Sequence, residues 1–194
     1  MSLQDLLNKP DYEWYKGLFS KSEQEKLSSE EMDDIIKKSI ASAEEVYDQF
    51  SADIELIGIE RLIERYGTEI SFNDMNESDT VIAMYDQKDN LLIIFNHSIT
   101  ELHNQIKKRK LEDSIDKDLF QNLMLSHELY HIIEMNEKDI YTYSEFYNYK
   151  VLGFNRKKRL SVAGEIGAFH FSKLVNEIDF SPCIIGSLYK ESAE

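Results

Sequence analysis

Two histidines four residues apart flank a glutamate in the run Leu123-Met124-Leu125-Ser126-His127-Glu128-Leu129-Tyr130-His131-Ile132-Ile133-Glu134. Residues i and i+4 of a helix lie one above the other on the same face. Two imidazoles in that relation can share one Zn²⁺ at about 2.0–2.1 Å each. Glu128 cannot reach the same coordination position. It can lie beside the metal and take a proton from water. The alternative is a surface helix whose histidines bind nothing. Leu125, Leu129, Ile132 and Ile133 argue against it, because polar groups on a largely buried helix need partners.

A catalytic zinc takes three protein ligands and leaves a position open. Glu134 lies about 10 Å along the helix axis from His127, and reads as a solvated carboxylate near the helix end. His170 is a second candidate. His97 and His103 have no supporting spacing. Glu165 is the strongest candidate, within Gly164-Glu165-Ile166-Gly167-Ala168-Phe169-His170-Phe171-Ser172-Lys173-Leu174. The small residues Gly164, Gly167, Ala168 and Ser172 let two helices approach closely. A helical glycine costs about 1 kcal/mol relative to alanine, so Gly164 and Gly167 call for a packing or functional reason.

The pattern H-E-x-x-H followed by E-x-x-A-x-x-F-x-x-x-L, here His127, Glu128, His131, Glu165, Ala168, Phe171 and Leu174, resembles a zincin metallopeptidase family, the compact gluzincins of the ImmA/IrrE type. The resemblance spans roughly residues 53–180. It implies a zinc metallopeptidase, a hydrolase holding Zn²⁺ on His127, His131 and Glu165, with Glu128 as catalytic base. It further implies cytoplasmic cleavage of a peptide bond in an intracellular regulatory protein, and a strand at Leu91–Asn96 along the cleft. Tyr130 stands where the family often has glycine, and Gly164 where an acidic residue commonly precedes the ligand. Phe169 replaces the aspartate of the broader gluzincin pattern, so no outer carboxylate for a ligand histidine is identified. His170 or a tyrosine of 139–149 could stabilise the oxyanion. A non-catalytic zincin scaffold, serving as a regulatory or toxin–antitoxin-type binding protein, is the alternative. A helical protein with an accidental motif is a third reading.

Around these residues the pattern predicts an α+β fold with a three-stranded sheet packed on the motif helix, and the resemblance implies that it is zincin-like. Residues 1–52 form an N-terminal helical extension packed on the same domain as 53–194. Short helical pieces anchored by Tyr12, Trp14, Tyr15 and Phe19 precede a capping box at Ser28 and Glu31 and a helix to about Phe50. A second helix covers 53–66 and stops at Gly67. Strands at Glu69–Phe72, Thr80–Tyr85 and Leu91–Phe95 make a small, largely antiparallel sheet, with turns at 76–79 and 86–90. Helices follow at 98–110, at 117–135 with the motif, and from about 158 to 177.

The 194 residues carry 42% hydrophobic residues, with ten Phe and eleven Tyr, enough for a core. Net charge of −15 argues against direct nucleic acid binding. The basic tetrads at 107–110 and 156–159 read as solvated helix faces. No apolar run is long enough to span a membrane, and the first residues do not resemble a secretory signal. One cysteine, Cys183, excludes an internal disulfide and a cysteine cage for zinc, and fits a reducing compartment.

Overall fold

The computed structural model describes residues 3–74, 81–112, 114–137, 139–144, 146–151 and 154–190. Three short helices, α1 (Leu3–Leu7), α2 (Asp11–Lys16) and α3 (Lys21–Gln24), lead into α4 (Ser29–Ile57). The capping box at the start of α4 is formed. Ser28 N–H donates to Glu31 Oε2 at 2.8 Å, and Glu31 N–H to Ser28 Oγ at 3.2 Å. Helix α4 runs past the expected end at residue 50 and across the expected boundary at 52. Gly58, with φ of +84°, breaks it and starts α5 (Ile59–Arg65). That left-handed conformation is open to glycine at little cost.

The sheet consists of β1 (Glu69–Asn73), β2 (Ala83–Asp86) and β3 (Leu91–Phe95), in the order β1-β3-β2. Strands β2 and β3 form the expected antiparallel hairpin, whereas β1 runs parallel to β3. The sheet is therefore mixed rather than largely antiparallel. Leu-Leu-Ile-Ile-Phe is the most apolar of the three strands. It takes the centre, paired on both sides, with Leu92 and Ile94 fully buried. Asn90, at φ of +52°, sits at the hinge of the sheet. Its Oδ1 accepts from Thr68 Oγ1 at 3.0 Å and Tyr85 OH at 2.6 Å, tying the start of β1 to the β2–β3 turn.

Next come α6 (Asn96–Lys108), the motif helix α7 (Lys117–Asn136) and α8 (Tyr141–Ser144). Asp116 caps α7 by accepting from Leu119 N–H at 2.8 Å. An antiparallel pair, β4 (Phe146–Val151) and β5 (Phe154–Arg159), precedes α9 (Ser161–Val175) and α10 (Cys183–Lys190). The tetrad at 156–159 thus belongs to a strand. The helix expected from 158 starts only at Ser161, because pairing with the aromatic, β-prone segment at 146–151 claims the basic segment first.

Helix α7 is buried nearly all round. Phe120 and Leu123 pack with Leu102, Ile106 and Ile184, while Leu125, Leu129, Ile132 and Ile133 pack with Leu62, Ile63, Leu92 and Ile94. Tyr15 and Phe19 of the N-terminal segment close over Val162, Ala163 and Ile166 of α9. Where α7 crosses α9, buried Ser126 Oγ donates to Ser172 Oγ at 3.0 Å, a bond that only small side chains on both helices permit. No helix among the described residues is long and apolar enough to cross a membrane.

Candidate metal centre

Helix α7 presents His127 and His131 on one face, and α9 brings Glu165 against them. The two Nε2 atoms lie 3.2 Å apart. Glu165 Oε2 is 3.6 Å from His127 Nε2, and Oε1 is 3.6 Å from His131 Nε2. Donors bonded tetrahedrally to zinc at about 2.0–2.1 Å stand about 3.3–3.4 Å from one another. The histidine pair lies near that value, each Glu165 oxygen stands 3.6 Å from a different histidine, and one donor atom from each of the three side chains lies within 4.8 Å of the others, so the donor set fits one ion in chemistry and faces a common point. Glu165 keeps 48% of its side chain exposed, so the triangle opens to solvent.

Glu128 lies half-buried beside His127 on the wall of an apolar pocket. Burial works against a charge on His131. It is outweighed by the hydrogen bond to Glu134 and by the charges of Glu165, Glu128 and Glu134, which push the imidazole up to about 9. Burial also works against a charge on Glu165. The hydrogen bond from His127 and the positive field of both histidines nevertheless hold that carboxyl down at about 2.

Glu134 is not the solvated carboxylate that its place near the helix end suggests. It is 2% exposed and faces His131 Nδ1, 3.1 Å from Oε1. Arg159 of β5 donates to Oε1 at 3.0 Å, and Thr142 of α8 donates to Oε2 at 2.8 Å. Thr142 Oγ1 in turn lies 2.9 Å from Tyr130 OH, which is 3.5 Å from Ser42 Oγ of α4. A carboxylate on the distal nitrogen fixes the tautomer and orientation of a ligand histidine. Glu134 supplies what the sequence pattern left unidentified, from the motif helix itself. His127 has no such support. Its Nδ1 is buried without a hydrogen-bond partner among the described residues, and its ring rests on Phe169 at a centroid distance of 4.5 Å.

Comparison with models of known protein families, with curated proteins and with solved structures found no match.

The two glycines of α9 have distinct local causes. A Cβ at Gly164 would come within 3.1 and 3.3 Å of the Glu134 carboxylate oxygens, and one at Gly167 within 2.5 Å of Tyr130 OH. Both glycines make room for α7 and its polar support. His170 is not at the centre. It is turned toward Tyr15, whose OH is 3.1 Å from Nδ1, and toward Glu44 of α4 at 3.8 Å. Five residues along a helix carry it well round from Glu165. Of the candidate tyrosines, Tyr143 stacks under the Arg159 guanidinium at 4.2 Å, and the side chains of Tyr147 and Tyr149 lie outside the described residues.

The strand expected along the cleft is also reassigned. Leu91–Phe95 is the central strand and has no free edge. The edge facing α7 is β2. Phe95 N–H donates to Ile82 C=O at 3.0 Å. Antiparallel pairing alternates, so the backbone groups of Ala83 and Tyr85 point away from β3.

Proposed function

We propose that this chain is a zinc-dependent peptidase in which His127, His131 and Glu165 hold the ion and Glu128 is the general base. The observation that carries the reading is the convergence of His127, His131 and Glu165, with the two Nε2 atoms 3.2 Å apart and a Glu165 oxygen 3.6 Å from each, and Glu128 beside His127 on the adjoining pocket wall. A zinc ion bound there would polarise the scissile carbonyl and lower the pKa of the attacking water. The Glu128 carboxylate accepts the proton of that water and returns it to the leaving amide nitrogen. Glu134 holds the His131 ring in place through Nδ1. The outward backbone groups of Ala83 and Tyr85 would bind an extended peptide by strand addition along the edge whose Ala83 shares a pocket wall with His127 and Glu128.

The zincin-like fold and the likeness to ImmA/IrrE-type gluzincins belong to this proposal. They are supported by the match at His127, Glu128, His131, Glu165, Ala168, Phe171 and Leu174, and by the small sheet beside the motif helix. The same resemblance supports a cytoplasmic regulatory protein as substrate.

The test has two parts. Elemental analysis of purified protein should find one zinc per chain, lost in His131→Ala. Glu128→Gln should keep the zinc and the fold but lower peptide hydrolysis by about 10²–10⁴. Cells expressing wild type or Glu128→Gln are then compared for newly formed peptide termini. Identical termini together with an identical cellular effect would leave the non-catalytic scaffold as the better reading.

A further inference from the structure

The basic segment that ends at Arg159 has no part in holding an ion. Residues 146–159, which form the β4–β5 ribbon, hold five of the chain's 22 lysines and arginines and none of its 37 acidic residues. A segment of charge +5 thus stands on a molecule whose other residues sum to −20. A lysine on a free edge is a common device against self-association. An unbroken run of four cations, Arg156 to Arg159, goes beyond it, and like charges so close together repel.

Two features of the ribbon restrict what can neutralise that run. Strands β4 and β5 pair only with each other among the described residues, so alternate backbone N–H and C=O groups on the outer edge of β5 have no strand partner. A two-stranded ribbon is marginal in water, and a third strand stabilises it. The second feature is alternation, which places Arg156 and Lys158 on one face of β5 and Lys157 and Arg159 on the other. A flat or cylindrical polyanion meets one face of a ribbon. A strand laid along the edge meets both, because its side chains alternate in step, at about 4.5–5.5 Å from those opposite. A nucleic acid duplex also carries one charge per roughly 1.7 Å of its axis, and would press further phosphates against the acidic body. A protein can confine its carboxylates to the segment that docks.

The ribbon is anchored at one end. Arg159 donates to Glu134 Oε1 at 3.0 Å, and the same oxygen lies 3.1 Å from His131 Nδ1. That leaves positions 156–158 for a partner, of which Lys157 is exposed. We propose that the outer edge of β5 takes up an extended acidic segment of a partner protein as an added strand, with consecutive carboxylates opposite Arg156, Lys157 and Lys158. The surface is distinct from the β2 edge and requires neither zinc nor Glu128, so it stands or falls apart from the peptidase reading.

The test uses full-length protein and a labelled peptide, Thr-Val-Glu-Glu-Glu-Val-Thr, with binding followed by fluorescence anisotropy at low ionic strength. The peptide should bind and should slow amide hydrogen exchange in 154–159. An exposed ion pair is worth about 1.5–5-fold in affinity, so Lys157→Gln with Lys158→Gln should weaken binding by about 2–25-fold. Lys157→Glu with Lys158→Glu should weaken it further, because attraction becomes repulsion. Circular dichroism verifies folding, and the glutamine pair serves if the reversal does not fold. The same peptide N-methylated on its three glutamates keeps its charges and loses their backbone donors, and should bind at least tenfold more weakly. Equal affinity for the methylated peptide would overturn strand addition. Binding that is unchanged in either folded double variant would place the peptide elsewhere and overturn the proposal. An oligothymidylate bound more tightly than the peptide, with the same dependence on Lys157 and Lys158, would overturn it in favour of nucleic acid. No binding of either probe to folded protein would leave the ribbon a solvated surface.

Discussion

Replacing Glu134 tests whether the buried carboxylate governs His131, the proposed metal ligand it touches. Glu134→Ala removes the acceptor of His131 Nδ1, of Arg159 and of Thr142 together. Breaking a fully buried ion pair by deleting one partner costs about 3–5 kcal/mol. Arg159 is 34% exposed, so water recovers part of that loss and about 2–3 kcal/mol is expected. Glu134→Gln is gentler. Its amide oxygen can still face Arg159 and His131, while its NH₂ donates to Thr142 Oγ1. The Thr142, Tyr130 and Ser42 hydroxyls then reverse direction, and no buried hydroxyl is left without a partner. Loss of a carboxylate behind a ligand histidine lowers metal affinity by about 10–100-fold; Glu134→Ala should lie near the upper end and Glu134→Gln near the lower. Part of this is masked at neutral pH. Glu134 also helps keep a proton on His131, whose pKa of about 9 makes that proton compete with the metal. Zinc affinity is therefore measured at pH 9 against a chelator of known strength, with circular dichroism to verify folding. A folded Glu134→Ala protein that binds zinc as tightly as wild type at pH 9 would refute the argument.

Zinc in 100-fold excess over Kd should stabilise the fold by about 2.7 kcal/mol. For a chain this long that raises Tm by roughly 5–10 °C, and Glu165→Ala should remove the shift in a thermal scan. In the presence of a chelator, stability should depend on pH through two groups. His131, raised from 6.5 to about 9, contributes stability that is full below 6.5 and lost as pH rises through 9. Glu165, lowered from 4.5 to about 2, contributes stability that is full above 4.5 and lost as pH falls through 2. Urea midpoints should therefore peak between about pH 4.5 and 6.5, and His131→Ala should flatten the alkaline side. Gly167→Ala should destabilise by about 1–2 kcal/mol, because the methyl overlaps buried Tyr130 and outweighs the gain in helix propensity. Gly186→Ala in α10 should stabilise by up to about 1 kcal/mol, because a Cβ built there meets nothing within 4 Å. Denaturant titration of both variants checks the opposite signs.

Periodicity located the helices around the site well. The motif helix, expected over 117–135, spans Lys117–Asn136, and the hairpin expected before Leu91 is present. The capping box at Ser28 was visible because it is a local pattern of two side chains three residues apart. What local pattern could not give was pairing across distance. The parallel partnership of β1 with β3 depends on which strand takes the centre. The β4–β5 pair depends on a basic segment finding an aromatic one. At the site, the spacing of His127 and His131 singled them out, and the small residues around Glu165 pointed to a close helix contact. Glu134 was misjudged because its position near a helix end suggests solvent. Its actual surroundings come from Thr142 and Arg159, residues of two other elements. Gly164 could have hinted at it, since a glycine packed against the motif helix leaves room for a bulky polar neighbour.

The close crossing of α7 and α9 also bears on how quickly a metal could enter and leave. Gly164 and Gly167 bring the two helices together through contacts that need no ion, and the donors already stand within 3.6 Å of one another. The loss of chain freedom needed to gather them is therefore met during folding rather than at the moment of binding. An ion reaching the open side of Glu165 would find a preorganised receptor, exchanging hydration water for ligands one at a time with little movement of the backbone. Loading would then be set by dehydration and by loss of the His131 proton, and a stripped protein would stay folded and ready to be filled again.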